Sequence, residues 1–218
     1  MSSRSQVPVM IINKQSYAKR VDSKLAYLAL LSCLLVITMM LSTPVYSRQL
    51  GDVDLPDSIT LEGTDQLLQL NGMGYRTRFV FKVYVGALYT ESKVDSRDEV
   101  QSLDGPKRIV MHMVYDEVSR EKMNAAWFEG FENNNTGEQF DRLKSQLETF
   151  IALFPDLKAG DVIYLDYIPS SGTLVTFNGE KKPVIEGDDF YTALLDVWLG
   201  EEPADDDLRD ALLGLTED

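Results

Sequence analysis

The chain has 218 residues, a formal net charge of −14, 44% hydrophobic and 26% charged residues, which suits one folded domain with its own core. So acidic a chain repels the phosphates of nucleic acids and anionic lipid headgroups, and we expect no nucleic-acid partner. The one histidine, His112, excludes a His-based catalytic triad and a metal site built from several histidines.

The N-terminal segment has the pattern of a secretory signal. Residues 25–41, LAYLALLSCLLVITMML, carry no charge and follow a basic stretch that ends at Lys24. Val45 and Ser47 supply the small residues before a predicted cut near Arg48. We therefore expect a cleaved signal peptide and export to the bacterial periplasm.

Two other interpretations of this segment stay open. The apolar run is near the lower limit for a membrane span, so an uncleaved anchor in the inner membrane, facing the periplasm, is one alternative. A lipoprotein anchored at Cys33 is the other, although the apolar run continues past that cysteine. In either case we predict contact with the membrane only through the N-terminal segment.

The predicted organisation is a signal peptide over 1–47, a linker over 48–57, a domain over 58–214 and a tail over 215–218. Removing the leader takes away five basic residues and one aspartate, so the net charge falls from −14 to −18. The chain's one cysteine lies in the leader, so we expect no disulfide and no thiol chemistry in the remaining domain.

The first half of the domain has the pattern of β-strands. Short strand character surrounds Ile59–Leu61, and a second strand in TDQLLQLNG is predicted to end at Asn71 and Gly72. Residues 79–90 alternate most clearly and form the third predicted strand. GPKRIVMHMVY, from Gly105, begins with a turn and continues as a fourth.

The second half changes to helical spacing and back. Ser119 is a predicted N-cap, and Thr136 with Gln139 predicts a capping box for the next helix. DVIYLDYIP and TLVTFNG then predict a hairpin, with a further short strand near Val184. DDFYTALLDVWLG predicts a helix, and Pro203 is predicted to open a last one.

This order of elements predicts an α+β fold. Strands joined by hairpins and separated along the chain from the helices indicate a mainly antiparallel sheet with helices packed on one face. The space between the sheet and those helices is a natural place for an apolar ligand.

Several of these segments in this order resemble the chalcone isomerase-like family. GMGYR with FKVYVGALY is similar to the family's glycine-rich turn, its arginine and the strand behind it. DEVSREKMNAAWFEGF resembles its first long helix, FPDLKAGDVIYLDYIPSSGTLVTFNG its hairpin, and DDFYTALLDVWLG the helix that closes its cleft. The resemblance covers about 58–214 and is closest to exported bacterial members.

The resemblance implies candidate site residues. Plant chalcone isomerases close a flavanone ring without a cofactor, whereas fatty-acid-binding relatives hold a carboxylate with an arginine and a tyrosine. Arg76 matches the arginine, and Tyr84 stands at the plant enzymes' threonine position, as in the fatty-acid binders. The plant enzymes' helix Tyr, Lys and Asn fall on Val118, Glu121 and Ala125, so this set is not kept.

The chemistry of ring closure also argues against chalcone isomerase activity. Closing the ring requires donors that polarise a ketone beside a positioned phenolate, and neither valine nor alanine can donate. We therefore assign no catalytic residue, metal site or cofactor.

A shared anion site for Arg76 and Tyr84 depends on the course of the chain between them. Eight residues of straight strand span about 26 Å, so the two side chains can meet only if the chain bends or forms a hairpin near Tyr75–Arg78. If the strand runs straight, Lys82 or Arg78 becomes the better partner for an anion.

The sequence thus predicts an exported, non-catalytic protein that binds a small amphipathic carboxylate, such as a fatty acid, in an apolar cleft. The predicted ligand-binding residues are Arg76, Tyr84 and Lys82. The alternatives are an isomerase or intramolecular lyase that acts on an enone-like substrate without a cofactor, and an interaction factor of the cell envelope. No protein partner is assigned.

Overall fold

A computed structural model describes Tyr27 and residues 46–216 of the chain. The predicted signal peptide, apart from Tyr27, Tyr46 and Ser47, and the last two residues of the predicted tail lie outside the described residues. Over the part of the chain that is described, no helix has the length and apolar character needed to cross a membrane.

The described chain contains eleven strands and five helices. The strands are β1 Ser47–Leu50, β2 Val53–Pro56, β3 Ser58–Thr60, β4 Leu67–Arg78, β5 Phe81–Thr90, β6 Lys107–Met113, β7 Glu117–Val118, β8 Leu157–Lys158, β9 Val162–Ile168, β10 Gly172–Phe177 and β11 Glu180–Lys181. The helices are α1 Arg97–Ser102, α2 Arg120–Asn134, α3 Gly137–Ile151, α4 Asp188–Leu199 and α5 Asp206–Leu212.

The main sheet has seven strands in the order β11-β10-β9-β6-β5-β4-β3, and every neighbouring pair is antiparallel. β1 with β2, and β7 with β8, form two small separate pairs. Hairpins link β4 to β5 and β9 to β10, whereas α2 and α3 lie in the connection from β6 to β9. The predicted α+β class with a mainly antiparallel sheet is confirmed.

The larger core lies between one face of the sheet and the helices. It contains an aromatic group from three helices, in which Trp127 contacts Phe150 and Trp198 edge to face. A smaller core on the opposite face includes Val53 and Leu55. The segment predicted as a linker, 48–57, therefore forms the β1–β2 hairpin and contributes buried side chains.

The β4–β5 hairpin differs from its predicted course. The prediction that a strand ends at Asn71 and Gly72 is wrong, because β4 continues to Arg78. The next strand begins at Phe81, so Phe79 and Val80 form the turn. Asn71 interrupts the register as a bulge instead of ending the strand, and its buried amide donates to Leu212 O at 2.8 Å.

Glycines in β4 and β5 allow α5 to lie directly on the sheet. A Cβ at Gly72 would stand 1.9 Å from Ala211 O, and one at Gly74 would stand 2.6 Å from Ala211 Cβ. A Cβ at Gly86 would meet Leu208 at 3.1 Å. The glycines of GMG therefore serve close helix-to-sheet packing and lie inside a strand, not in a turn.

The helix caps are partly as predicted. Ser119 caps α2 by accepting from Lys122 N, which confirms that cap. Thr136 stands at the N-cap of α3, but its side chain makes no capping hydrogen bond, so the predicted capping box does not form. Asp205, not Pro203, begins the last helix, because its carboxylate accepts from Leu208 N at 3.0 Å.

Two further differences concern short elements. Near Val184 the predicted strand is reduced to one bridge between Thr173 and Ile185, and β11 precedes it. Helix α1 was not predicted, although its Ser96 cap and two acidic residues in the first turn are a recognisable start signal.

Candidate functional site

A cavity of about 640 Å³ lies between the turn end of the β4–β5 hairpin, α2 and the connection from α4 to α5. This volume falls within the range of small-molecule sites in proteins. Its lining is apolar along the walls, with charged side chains among the residues. The apolar wall residues include Phe81, Val83, Met111, Val118, Met123, Ala126, Trp127 and Val197, and the charged ones are Arg76, Arg78, Glu117, Lys122, Glu129 and Glu202.

Arg76 and Tyr84 meet because the chain folds back between them. The two residues are direct partners in the register of β4 and β5, and both line the cavity. Directly opposed residues of an antiparallel pair project to the same face with Cβ atoms about 5 Å apart. The bend that a shared anion site requires is thus present as the turn at Phe79 and Val80.

A bulge in β5 adjusts which side chains face the cavity. Arg76 pairs with Tyr84 and Thr77 pairs with Lys82, so Val83 is the extra residue. Because of the bulge, the neighbouring residues Val83 and Tyr84 both line the cavity. Phe81, which is nearer to the turn, lines it as well. The strict alternation predicted for residues 79–90 would have put Val83 and Phe81 on the face opposite to Tyr84.

Tyr84 is buried and oriented by a hydrogen bond. Trp198 Nε1 donates to the Tyr84 hydroxyl at 2.8 Å, so this oxygen is an acceptor and its own proton is left to donate. Burial raises the pKa of Tyr84 to about 12, against smaller lowering effects of the Trp198 hydrogen bond and the Arg76 charge. Tyr84 therefore stays protonated at neutral pH and can donate to an anion.

Arg76 has an acidic partner in the protein. Its Nη1 lies 3.4 Å from Asp205 Oδ2 and also donates to the carbonyl of Thr77. The Arg76 side chain is 20% exposed and that of Asp205 is 10% exposed. Among the described residues, Nε and Nη2 of Arg76 have no hydrogen-bond acceptor, so donors remain for a ligand carboxylate.

Asp205 connects the arginine to the start of α5. One carboxylate oxygen caps the helix at Leu208 N, and the other accepts from Thr77 N at 2.8 Å. The preceding Ala204 donates its backbone N–H to Val197 O at 2.8 Å and lines the cavity. The position of Arg76 is therefore coupled to the packing of α5 on the sheet.

Lys82, the third predicted site residue, does not join the other two. Its Nζ lies 3.7 Å from the centroid of the Tyr75 ring, and Tyr75 packs against the core on the opposite face of the sheet. Arg78, in contrast, lines the cavity near the turn. The structure thus brings Arg76, Tyr84 and Arg78 together and leaves Lys82 outside, while a ligand role for each of them stays a prediction.

Of the three positions matched to the plant enzymes' helix residues, two line the cavity and one does not. Val118 and Ala125 line the cavity without any side-chain donor, and Glu121 is exposed outside it. The next residue, Lys122, does line the cavity and was missed in the sequence analysis. Trp127 also lines the cavity, and its buried Nε1 has no hydrogen-bond partner in the described chain.

No signal in the sequence points to Asp205 or Trp198 as parts of the site. Asp205 belongs to an acidic run that suits a helix start, and Trp198 fits the apolar face of α4. Within residues 46–216, no group of three or more His, Cys, Asp or Glu side chains is placed to hold a metal ion.

The fold and the cavity define a class of protein, an α+β domain that encloses a ligand-sized space between its sheet and helices. A profile of the chalcone isomerase-like family matches residues 47–214. The chain therefore belongs to the chalcone isomerase-like family, as its segments predicted.

A solved structure shares this fold. The crystal structure of a fatty-acid binding protein from Arabidopsis thaliana matches with a TM-score of 0.57 and 17% sequence identity. The match covers 77% of this chain and 96% of the plant protein. No curated protein matches the sequence.

Proposed function

We propose that this protein binds a small amphipathic carboxylate, such as a fatty acid, without transforming it. The carboxylate accepts from Arg76 and from the Tyr84 hydroxyl, and the apolar chain fills the cavity. The observation that carries this proposal is the pairing of Arg76 with Tyr84 across β4 and β5 at the wall of a largely apolar cavity of about 640 Å³.

The electrostatic arrangement supports an anionic headgroup. Arg76 uses Nη1 for Asp205 and for the Thr77 carbonyl, so a ligand carboxylate can accept charge-assisted hydrogen bonds from its Nε and Nη2. Tyr84 contributes a neutral donor whose proton is directed away from Trp198. The plant protein with the same fold is a fatty-acid binding protein, which adds weight to a fatty acid as the ligand class.

The apolar part of the ligand fits the rest of the lining. Met111, Met123 and Val197 offer flexible or branched apolar side chains, and burial of an alkyl chain contributes about 0.8 kcal/mol per methylene group. Carboxylate binding at one side and alkyl burial at the other favour an amphipathic acid over a small polar acid.

The isomerase alternative has less support from the site. Val118 and Ala125 present no donor to the cavity, and Lys122 is the one cation of α2 in the lining. Of the α2 residues in the lining, Lys122, Trp127 and Asn133 carry side-chain donors, so a ring closure or enone isomerisation would need one of them to act beside Arg76 and Tyr84. Turnover of an enone panel that is lost in Lys122→Met would favour this alternative.

We also propose that the protein is exported and works in the periplasm. The support is the pattern of residues 1–47, a basic stretch, an uncharged apolar run and small residues before Arg48. N-terminal sequencing of the protein from a periplasmic fraction tests this. A start at residue 48 is expected, whereas an intact leader in the membrane fraction contradicts cleavage.

The binding proposal is tested by native mass spectrometry of protein purified without detergent, together with titration by palmitate in buffer. We expect a discrete added mass that is released on denaturation, and saturable palmitate binding. Both should be lost in Arg76→Gln and kept in Arg142→Gln, a matched change at an exposed arginine of α3. Wild-type affinity in Arg76→Gln contradicts the anchor, and no palmitate binding by the wild type contradicts the function.

A further inference from the structure

The turn of the β4–β5 hairpin exposes a group of large apolar side chains. Phe79 is 90% exposed, Val80 is 83% exposed and Phe81 is 54% exposed. We call these three residues, with the flanking Arg78 and Lys82, the hairpin tip. Exposed apolar clusters of this kind mark protein–protein or membrane contacts or ligand-binding grooves, and Val80 lies outside the cavity lining.

The turn itself does not require these residues. Two-residue hairpin turns normally have glycine, asparagine or aspartate where φ is positive, because other side chains are strained there. Phe79 occupies that position with φ of 58°. Phe79 therefore carries a conformational cost, and Phe79 and Val80 both carry an exposure cost, that folding alone does not explain.

The hairpin also differs in charge from the rest of the protein. No aspartate or glutamate occurs between Asp65 and Glu91, whereas the whole chain has a net charge of −14. The hairpin arms contain Arg76, Arg78 and Lys82 as their charged residues. A cationic, aromatic tip on an acidic protein is complementary to a phospholipid surface, since aromatic rings and basic side chains occupy the interface of apolar tails and phosphates.

The tip is continuous with the mouth of the cavity. Phe79, Phe81 and Arg78 line the cavity and are exposed to solvent as well. Tyr115, which contacts Phe81 edge to face at 5.7 Å between ring centroids, extends the apolar surface along the same rim. A ligand that leaves a bilayer beside the tip would thus meet apolar side chains along its whole path into the cavity.

We infer that the hairpin tip docks on the surface of a phospholipid bilayer, with Phe79, Val80 and Phe81 among the outer acyl chains and Arg78 and Lys82 at the phosphates. Docking places the cavity mouth against the membrane, so the amphipathic acid transfers without crossing water. The transfer rests on the proposed function, whereas the docking does not. This contact departs from the prediction that the protein touches the membrane only through its N-terminal segment.

The repulsion between the acidic domain and an anionic bilayer does not prevent this contact. Salt screens separated charges beyond about 8 Å at physiological ionic strength, whereas the tip touches the lipid directly. Docking is therefore weak and reversible at zwitterionic surfaces and stronger where anionic phospholipid is present at moderate salt.

A fluorescent probe at the tip tests the docking directly. In the Cys33→Ser background, which removes the one native cysteine, Val80→Cys is labelled with an environment-sensitive dye. The matched control is Ser171→Cys, an exposed residue between β9 and β10 at the opposite end of the sheet. The full chain is mixed with vesicles of phosphatidylcholine alone, or with an equal amount of phosphatidylglycerol.

The expected result is a blue shift at position 80 and loss of its emission to a lipid-attached quencher, with neither change at position 171. Because the probe reports only its own depth, this result does not depend on whether the N-terminal segment also binds the vesicles. No quenching at position 80 overturns the inference. A blue shift that grows with protein concentration in the absence of vesicles overturns it as well, because the tip then packs on a second copy.

A second variant connects docking to uptake. Val80 does not line the cavity, so Val80→Asp should leave palmitate affinity in buffer unchanged and slow uptake of a vesicle-bound fluorescent fatty acid by about tenfold. Ser171→Asp, which adds the same charge at the other end, should slow neither. Equal uptake rates in Val80→Asp and the wild type overturn the transfer role. If the wild type binds no fatty acid, the quenching result still decides the docking.

Discussion

Trp198 Nε1 donates a hydrogen bond to the hydroxyl of Tyr84 at 2.8 Å inside the core. The bond joins α4 to β5. Because the hydroxyl oxygen accepts this bond, the phenolic proton of Tyr84 is available to donate to another group. A side chain that lines the cavity is thus held as a hydrogen-bond donor. This contact turns a tyrosine that could have been merely a core residue into a candidate ligand-binding group.

We expect Tyr84→Phe to weaken palmitate binding by about tenfold or more, because a hydrogen bond to a carboxylate is lost. Trp198→Phe should weaken binding by about threefold, since Tyr84 keeps its proton but loses its orientation. Titration calorimetry on both variants measures these changes. If Trp198→Phe weakens binding more than Tyr84→Phe does, the orienting role is refuted.

Asp205→Asn should strengthen the binding of an anionic ligand by about threefold to tenfold. The change removes the negative charge 3.4 Å from Arg76 Nη1, which competes with a ligand carboxylate. Asparagine keeps the cap at Leu208 N through its amide oxygen, but its amide nitrogen cannot accept from Thr77 N, so thermal stability should fall modestly. Palmitate affinity, measured at a temperature where this variant is fully folded, provides the check.

An uncharged analogue gives the control for this prediction. The affinity of hexadecanol should not rise in Asp205→Asn, because no carboxylate is present to gain from the change. Equal strengthening for the acid and the alcohol would mean that Asp205 acts on cavity shape and not on charge.

Gly72→Ala should destabilise the domain by about 2–4 kcal/mol, because the new Cβ would stand 1.9 Å from the backbone oxygen of Ala211. The displacement of α5 also moves Asp205, so ligand affinity should fall with stability. Urea unfolding measures the effect. Gly137→Ala, where a Cβ meets nothing within 4 Å, is the control and should change stability by no more than about 1 kcal/mol.

The pH dependence of stability should carry a contribution from Tyr84. Burial raises its pKa from 10.0 to about 12 in the folded protein, so the folded state holds the proton more tightly than the unfolded chain does. The resulting stabilisation is fully present below pH 10 and is lost as the pH rises to about 12. The loss is about 3 kcal/mol in total.

Unfolding free energies of the wild type and Tyr84→Phe, compared across this range, isolate the contribution. The pKa values of Tyr89 and Tyr191 are also raised by burial, and their effects cancel in the difference between the two proteins. A difference that stays constant from pH 9 to pH 12 would show that Tyr84 ionises like an exposed tyrosine.

The sequence by itself determined the class of fold and most of the elements. Alternation in the strands and the helical spacing after Ser119 are local patterns, and they predict an antiparallel sheet with helices on one face. The order of the motifs likewise pointed to the family. The predicted end of a strand at Asn71 and Gly72 was wrong. Local turn preference suggested that end, but β4 continues because α5 packs closely on its glycines.

The site itself was decided only by the tertiary structure. A turn through Phe79 and Val80 has no glycine or asparagine to reveal it, so the meeting of Arg76 with Tyr84 followed from the pairing of two strands. The bulge at Val83 then selected which side chains enter the cavity, and left Lys82 on the other face. Asp205 and Trp198 reach the site across more than a hundred residues, and such long-range contacts are absent from any local pattern.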